Sequence, residues 1–346
     1  MRKYLNKSLL YQGDSKIIVF LCVVYLIAFF LNKSIVDDYF NYNIINKLYN
    51  LNNYSQGIEF IITGWAILLL TVYLMICYSI IVGLHKRKKW SLFLSGPFSK
   101  LDIRKREFTL MIISFLVFLF SYIISVLQNV YLNYEVLYYI GNFGTSFLLD
   151  IIRIICISIL IIGCLALLDC FFSNLYFVFG SMIFILAYLF TLLINLEGYI
   201  VMYTYANRAF NIIIENIQYY LTGYYFYGNY TGNLDKIAVI LRVCGISVVL
   251  IIIGFILVFI SKRITKRMLV ENMNEGIIMQ FPKKAGRLML ITFPGIALAP
   301  FISSLINEFY FSYNLSAKML LLIKLLVLII FSFISNYFLK MKKSGV

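Results

Sequence analysis

Long apolar runs alternate with shorter polar or basic stretches along this chain. They cover residues 17–31, 60–83, 108–127, 147–168, 175–194, 237–260, 288–306 and 317–338. A helix needs about 20 apolar residues to cross a hydrocarbon core of roughly 30 Å. The pattern therefore predicts an all-α fold, a polytopic transmembrane bundle of about eight spans. It forms a single transmembrane domain over 1–346, with no internal repeat, low-complexity linker or soluble domain. The first run is short and is expected to extend into its flanks. The seventh contains Pro294 and Pro300, which predicts a kink or a partly re-entrant segment.

Composition agrees with this pattern. Of the 346 residues 62% are hydrophobic and 13% charged. One soluble core cannot hide that much apolar surface, whereas lipid removes the need to hide it. The first run follows basic residues but has no small-residue cleavage site, so it reads as a membrane helix and not a signal peptide. Charge then sets orientation. With the N-terminus inside, the segments assigned to the cytoplasm carry 22 Lys and Arg residues, and the outer segments carry four: Lys33, Lys47, Arg208 and Lys236. That bias predicts N-in and C-in topology, with cytoplasmic loops at 84–107 and 261–287 and an outer loop at 195–236. It also accounts for the net charge of +15 without a nucleic-acid partner. Within the outer loop, 206–221 is amphipathic and 224–230 is rich in Tyr, which suits the membrane–water interface.

Several chemistries lack their signatures. No P-loop, HExxH or GxSxG occurs, so no catalytic residue is assigned, and any ATP that drives this protein is hydrolysed by another subunit. The six cysteines show no CxxC or Cys/His spacing, and the one histidine, His85, lies among lysines. Neither a metal site nor a bound cofactor is expected. The sequon at Asn229 is one that an Asn-rich chain produces by chance.

The loop 84–107 carries the most specific pattern. Ser95, Gly96, Pro97, Phe98, Ser99, Lys100, Leu101, Asp102 and Ile103 follow a basic cluster and precede Arg104, Lys105 and Arg106. Gly96-Pro97 signals a turn. Ser99 stands three residues before Asp102, the spacing of a helix N-cap with a carboxylate in the first turn. The expectation is a short helix at the cytoplasmic surface. A basic loop that anchors topology on anionic headgroups accounts for the charges equally well. Residues 91–103 also resemble the "LLxSxPxSRxEI" stretch of ABC-2 type permeases, with Lys100 where that family often has Arg and Asp102 near its usual Glu. The resemblance implies a bacterial plasma-membrane subunit of an ATP-binding-cassette exporter. It further implies that 95–103 is a coupling helix that docks on a cytoplasmic ABC ATPase, and that a second permease copy or a sister permease completes the transporter.

A second stretch, 262–281, is similar to the "RxxExxGxxxxF" run that some of these permeases carry after their sixth span. Glu271, Glu275 and Gly276 would then form a second cytoplasmic contact. Many family members stop at six spans, and this chain adds two. Charges inside the runs are the remaining candidates. Asp150 and Arg153 are spaced to pair on one helix face near the outer end of the fourth run. Lys324 either snorkels outward beside Lys318 or lines a polar pathway. A different class, a multi-span enzyme acting on lipid-linked substrates such as a glycosyltransferase, would need acidic residues at the start of a loop. Asp37-Asp38 is the one candidate pair.

Overall fold

The computed structural model describes residues 16–49, 60–82, 90, 98–134, 143–172, 174–206, 216–217, 219–221, 223, 233–267, 280–311 and 316–341. Eight long helices occur among them and no strand: α1 (Lys16–Tyr49), α2 (Gly64–Val82), α3 (Lys100–Leu132), α4 (Phe143–Phe171), α5 (Leu175–Ala206), α6 (Asn233–Arg267), α7 (Gln280–Phe311) and α8 (Ala317–Met341). All eight are long and apolar enough to cross a bilayer. The all-α polytopic fold follows directly, and the chain is a multi-span membrane protein. Backbone groups in lipid must be satisfied within the segment, and helices do this without outside partners.

Most helices outrun their apolar runs. The first run grows into the 34 residues of α1. Asp37 and Asp38 therefore lie within a helix and do not begin a loop. The connection expected at 195–236 is shortened, because α5 continues to Ala206 and α6 starts at Asn233. Of the amphipathic 206–221, the described residues 216–217 and 219–221 are helical, while the Tyr-rich 224–230 lies outside the described residues. The seventh run is continuous through both prolines. Pro300 has no N–H, so the carbonyl of Ile296 loses its donor four residues on. Asn195 of α5 supplies a substitute, its Nδ2 donating to that carbonyl at 2.7 Å.

The chain packs as two compact units. The first comprises residues 1–170 and 214–269 and contains α1, α2, α3, α6 and nearly all of α4. Polar side chains tie its apolar helices together. Asn32 of α1 donates to the Phe118 carbonyl and to Ser121 Oγ of α3. Further along the same pair, Asn129 of α3 donates to the Asp37 carboxylate at 2.7 Å. Such bonds matter in lipid because the hydrophobic effect does not drive helices together there.

Small residues let α4 and α6 touch. A Cβ at Gly163 would meet the Gly254 carbonyl oxygen at 2.9 Å, and one at Gly254 would meet Ile159 at 2.8 Å. Gly163→Leu is expected to lower the stability of this unit by about 1–3 kcal/mol through overpacking. Gly245→Ala, on the same α6 but with open space around it, is expected to change stability little. Thermal unfolding of both in one detergent checks the contrast, and equal melting temperatures would refute the close contact.

The second unit comprises residues 171–213 and 270–346 and contains α5, α7 and α8. Gly295 brings α7 against α8, where an added Cβ would lie 2.9 Å from the Leu328 backbone. Tyr188 of α5 shares a hydrogen bond with Thr292 of α7 at 3.0 Å.

Candidate functional site: two buried ion clusters in the first unit

The start of α3 has the cap its sequence calls for. Ser99 Oγ accepts from the Asp102 N–H at 3.2 Å, and the Asp102 carboxylate accepts from the Ser99 N–H at 3.2 Å and from its hydroxyl at 2.6 Å. This reciprocal box satisfies donors that a helix start leaves open. One expectation changes here. The described part of the segment, Phe98 to Ile103, is not a separate short helix but runs into α3, a single helix of 33 residues. The residues between Ile103 and Phe108 are Arg, Lys, Arg and Glu, good helix formers with nothing among them to break the turn. Ser95, Gly96 and Pro97 lie outside the described residues, as do Glu271, Glu275 and Gly276. Ser99 is exposed, whereas Phe98, Lys100, Leu101 and Asp102 are half-buried. Ile103 is buried within the chain, so it is not a surface contact residue.

The basic triplet that follows is also not what its sequence suggests. Lys105 is exposed, but Arg104 is 2% and Arg106 3% exposed. Arg104 sits among carboxylates. Its Nη1 donates to Glu107 at 2.9 Å, to Asp169 of α4 at 2.7 Å and to the Tyr78 hydroxyl of α2 at 3.2 Å. Its Nη2 donates to the Ala166 carbonyl, to Cys170 Sγ at 3.1 Å and to Ser261 Oγ of α6 at 3.2 Å. Glu107 in turn accepts from the indole N–H of buried Trp90 at 3.0 Å. One guanidinium thus joins α2, α3, α4 and α6 beside the capped end of α3. Both of its terminal nitrogens are taken up by the protein, so this cluster fits a clamp and not a ligand site.

The signal for this clamp lay in Asp169. It ends the fourth apolar run, and the connection 169–174 contains no Lys or Arg to balance it. A carboxylate at the edge of a span needs a partner from elsewhere.

The second cluster sits toward the other end of α4. Asp150 and Arg153 pair at 2.7 Å, as their spacing suggests, and both are completely buried within the chain. The Asp150 carboxylate also accepts the Ile61 and Ile62 N–H groups at 2.7 and 3.3 Å. Arg153 donates to the Ile62 carbonyl at 3.0 Å, and from Nε and Nη2 to the Tyr220 carbonyl at 3.2 and 2.7 Å. Its guanidinium lies 4.1 Å from the centre of the Phe60 ring, a cation–π contact. The pair therefore holds the non-helical residues 60–62 before α2 and the helical residues 219–221 against α4.

Gly223 completes that arrangement. Its φ is +74°, and a Cβ there would lie 2.7 Å from the Ile62 carbonyl oxygen. Only glycine fits both the backbone angle and the space. Tyr220 shares a hydrogen bond with Ser247 of α6 at 3.0 Å, and burial pushes its phenol well above the usual range, so it stays neutral.

No family model, curated protein or solved structure matches this chain.

In the second unit, Lys324 is half-buried. Its ammonium donates to the Asn195 carbonyl at 3.1 Å, and the same Asn195 bonds the carbonyl freed by Pro300. This joins α5, α7 and α8 and fits a structural cation better than a transport pathway. Among the described residues no group of three His, Cys, Asp or Glu side chains is placed to hold a metal ion. Asp37, needed for the enzyme alternative, accepts from Asn129 within a helix pair.

Proposed function

We propose that this chain is the membrane-spanning permease subunit of an ABC exporter in a bacterial plasma membrane. It would move substrate with ATP hydrolysed by a separate cytoplasmic subunit. The observation that supports this reading best is the Arg104 clamp directly behind the capped start of α3. A coupling element must pass a push from a partner into several helices without fraying. The Ser99–Asp102 box stiffens the helix start, and Arg104, one turn on, ties it to α2, α4 and α6. The resemblance of 91–103 to the coupling stretch of ABC-2 permeases points the same way, as does the cytoplasmic position that the basic residues assign to it.

On this reading Phe98 and Leu101 contribute docking area, while Ile103 belongs to the chain's own core. The test is affinity purification of the full chain in mild detergent, with identification of what co-purifies. An ATP-hydrolysing subunit is expected. Phe98→Ala combined with Leu101→Ala is expected to reduce its retention at least tenfold, since each buried apolar side chain contributes about 1.5–3 kcal/mol and 1.4 kcal/mol is a factor of ten. Undiminished retention at equal membrane abundance would reduce the segment to a topological anchor.

A further inference from the structure

We infer that the second unit carries a binding groove for one anionic phospholipid, between α7 and α8. This goes beyond the permease reading and does not depend on it. The groove encloses about 510 Å³, within the roughly 300–1,000 Å³ of small-molecule sites. Its deep end lies at Leu328, where Gly295 brings the two helices into contact. From there it runs along the α8 face that carries Ser332 and Asn336, and along the α7 face back to Lys284.

The walls grade from apolar to cationic. Leu288 and Ile291 on α7 and Leu328, Ile329 and Phe333 on α8 make the deep part. Lys284 and Arg287, both exposed and three residues apart on one face of α7, stand at the other end. The eight steps from Leu328 to Asn336 span about 12 Å at 1.5 Å per residue. One leaflet of a core roughly 30 Å thick is about 15 Å deep. The groove is thus the length of an acyl chain's path through a single leaflet, with cations at headgroup level. Arg287 can hold a phosphate bidentately, and Lys284 adds a point charge.

Between these two zones lies Ser332. Its Oγ is shielded and takes no partner in the chain. A buried hydroxyl without a partner costs free energy. It lies one helical turn below Asn336, the level of a lipid's ester carbonyls, which accept hydrogen bonds. Charge complementarity favours an anionic over a zwitterionic lipid. The basic-residue bias places Lys284 and Arg287 on the cytoplasmic side, where anionic lipids attract such residues.

The test is native mass spectrometry of the full chain, titrated with phosphatidylglycerol or phosphatidylcholine of identical acyl chains. Phosphatidylglycerol is expected to be retained in preference by roughly tenfold or more, at about 1 kcal/mol per basic residue. Lys284→Gln with Arg287→Gln, both on exposed side chains, is expected to abolish the preference. Ile291→Trp, which fills the groove and leaves the cations in place, is expected to weaken phosphatidylglycerol binding as well. Millimolar inorganic phosphate is expected to leave the lipid bound. Equal retention of both lipids, or an unchanged preference in the double variant, would overturn the inference. Full binding by folded Ile291→Trp would show surface attraction without a groove, and displacement by phosphate would show a free-anion site. Either result also overturns it, and if Ile291→Trp does not fold, the double variant decides.

Discussion

Arg104→Ala is expected to cost about 3–5 kcal/mol of stability, the usual cost of removing one partner from a buried ion cluster. The reason lies in what remains. Glu107 is 4% exposed and Asp169 completely buried, and both would lose the guanidinium that pairs them. Tyr78 and Ser261 would lose their link to α3 at the same time. Arg104→Lys should recover only part of the loss, because an ammonium is a point charge and cannot reach both carboxylates and the α6 hydroxyl as a planar fork does. Lys105→Gln is the control. It lies next in sequence but is exposed, so its effect should stay within about 0.5 kcal/mol. Unfolding followed by denaturant in mixed micelles measures all three. If Arg104→Ala and Lys105→Gln prove equally mild, the triplet is a topological anchor and the clamp has no mechanical meaning.

A comparable loss, again about 3–5 kcal/mol, is expected for Arg153→Met alone, which strands the buried Asp150 carboxylate. Asp150→Leu alone strands Arg153 in the same way. The double variant should lose clearly less than the two singles together, with a coupling of about 0.5–3 kcal/mol, because neither charge is left behind. It should not return to wild type. The Ile61 and Ile62 N–H groups and the Ile62 and Tyr220 carbonyls would still lack partners, at about 1–3 kcal/mol for each group that water cannot reach. Amide exchange gives a local readout, with Ile61 and Ile62 expected to lose protection in every variant while the Asn32–Ser121 junction of α1 and α3 keeps its own. Additive losses would show that the two charges act independently.

The opposite roles of the two clusters follow from where they lie on α4. The Arg104 cluster joins helix to helix at one end and leaves the capped tip of α3 beside it. The Arg153 cluster, at the other end, closes the non-helical residues 60–62 and the helical residues 219–221 onto the bundle. In both, the charged groups pair with one another inside the chain, although Arg104 Nε is left without a hydrogen-bond partner. The groove between α7 and α8 is the contrasting case, since Lys284 and Arg287 are exposed and Ser332 Oγ takes no partner in the chain. A ligand site is sought where the protein has not already spent its own hydrogen bonds.

Helix number and type were legible in the sequence because they rest on local quantities. An apolar run of about 20 residues has one stable backbone solution in lipid, and each of the eight runs took it. The Ser99 cap was legible for the same reason, since three residues separate donor from acceptor. So was the pairing of Asp150 with Arg153 along one helix face. Burial was not legible, because it depends on partners far along the chain. Arg104 reads as one more cation in a basic loop until Asp169, 65 residues on, and Ser261, 157 residues on, close around it. Asp150 finds its backbone donors 88 and 89 residues away. Pro300 reads as a break until Asn195 takes over the carbonyl that the missing N–H would have bonded. Spacing within a helix decides which residues share a face, whereas the packing of other helices decides whether that face meets lipid, water or an opposite charge.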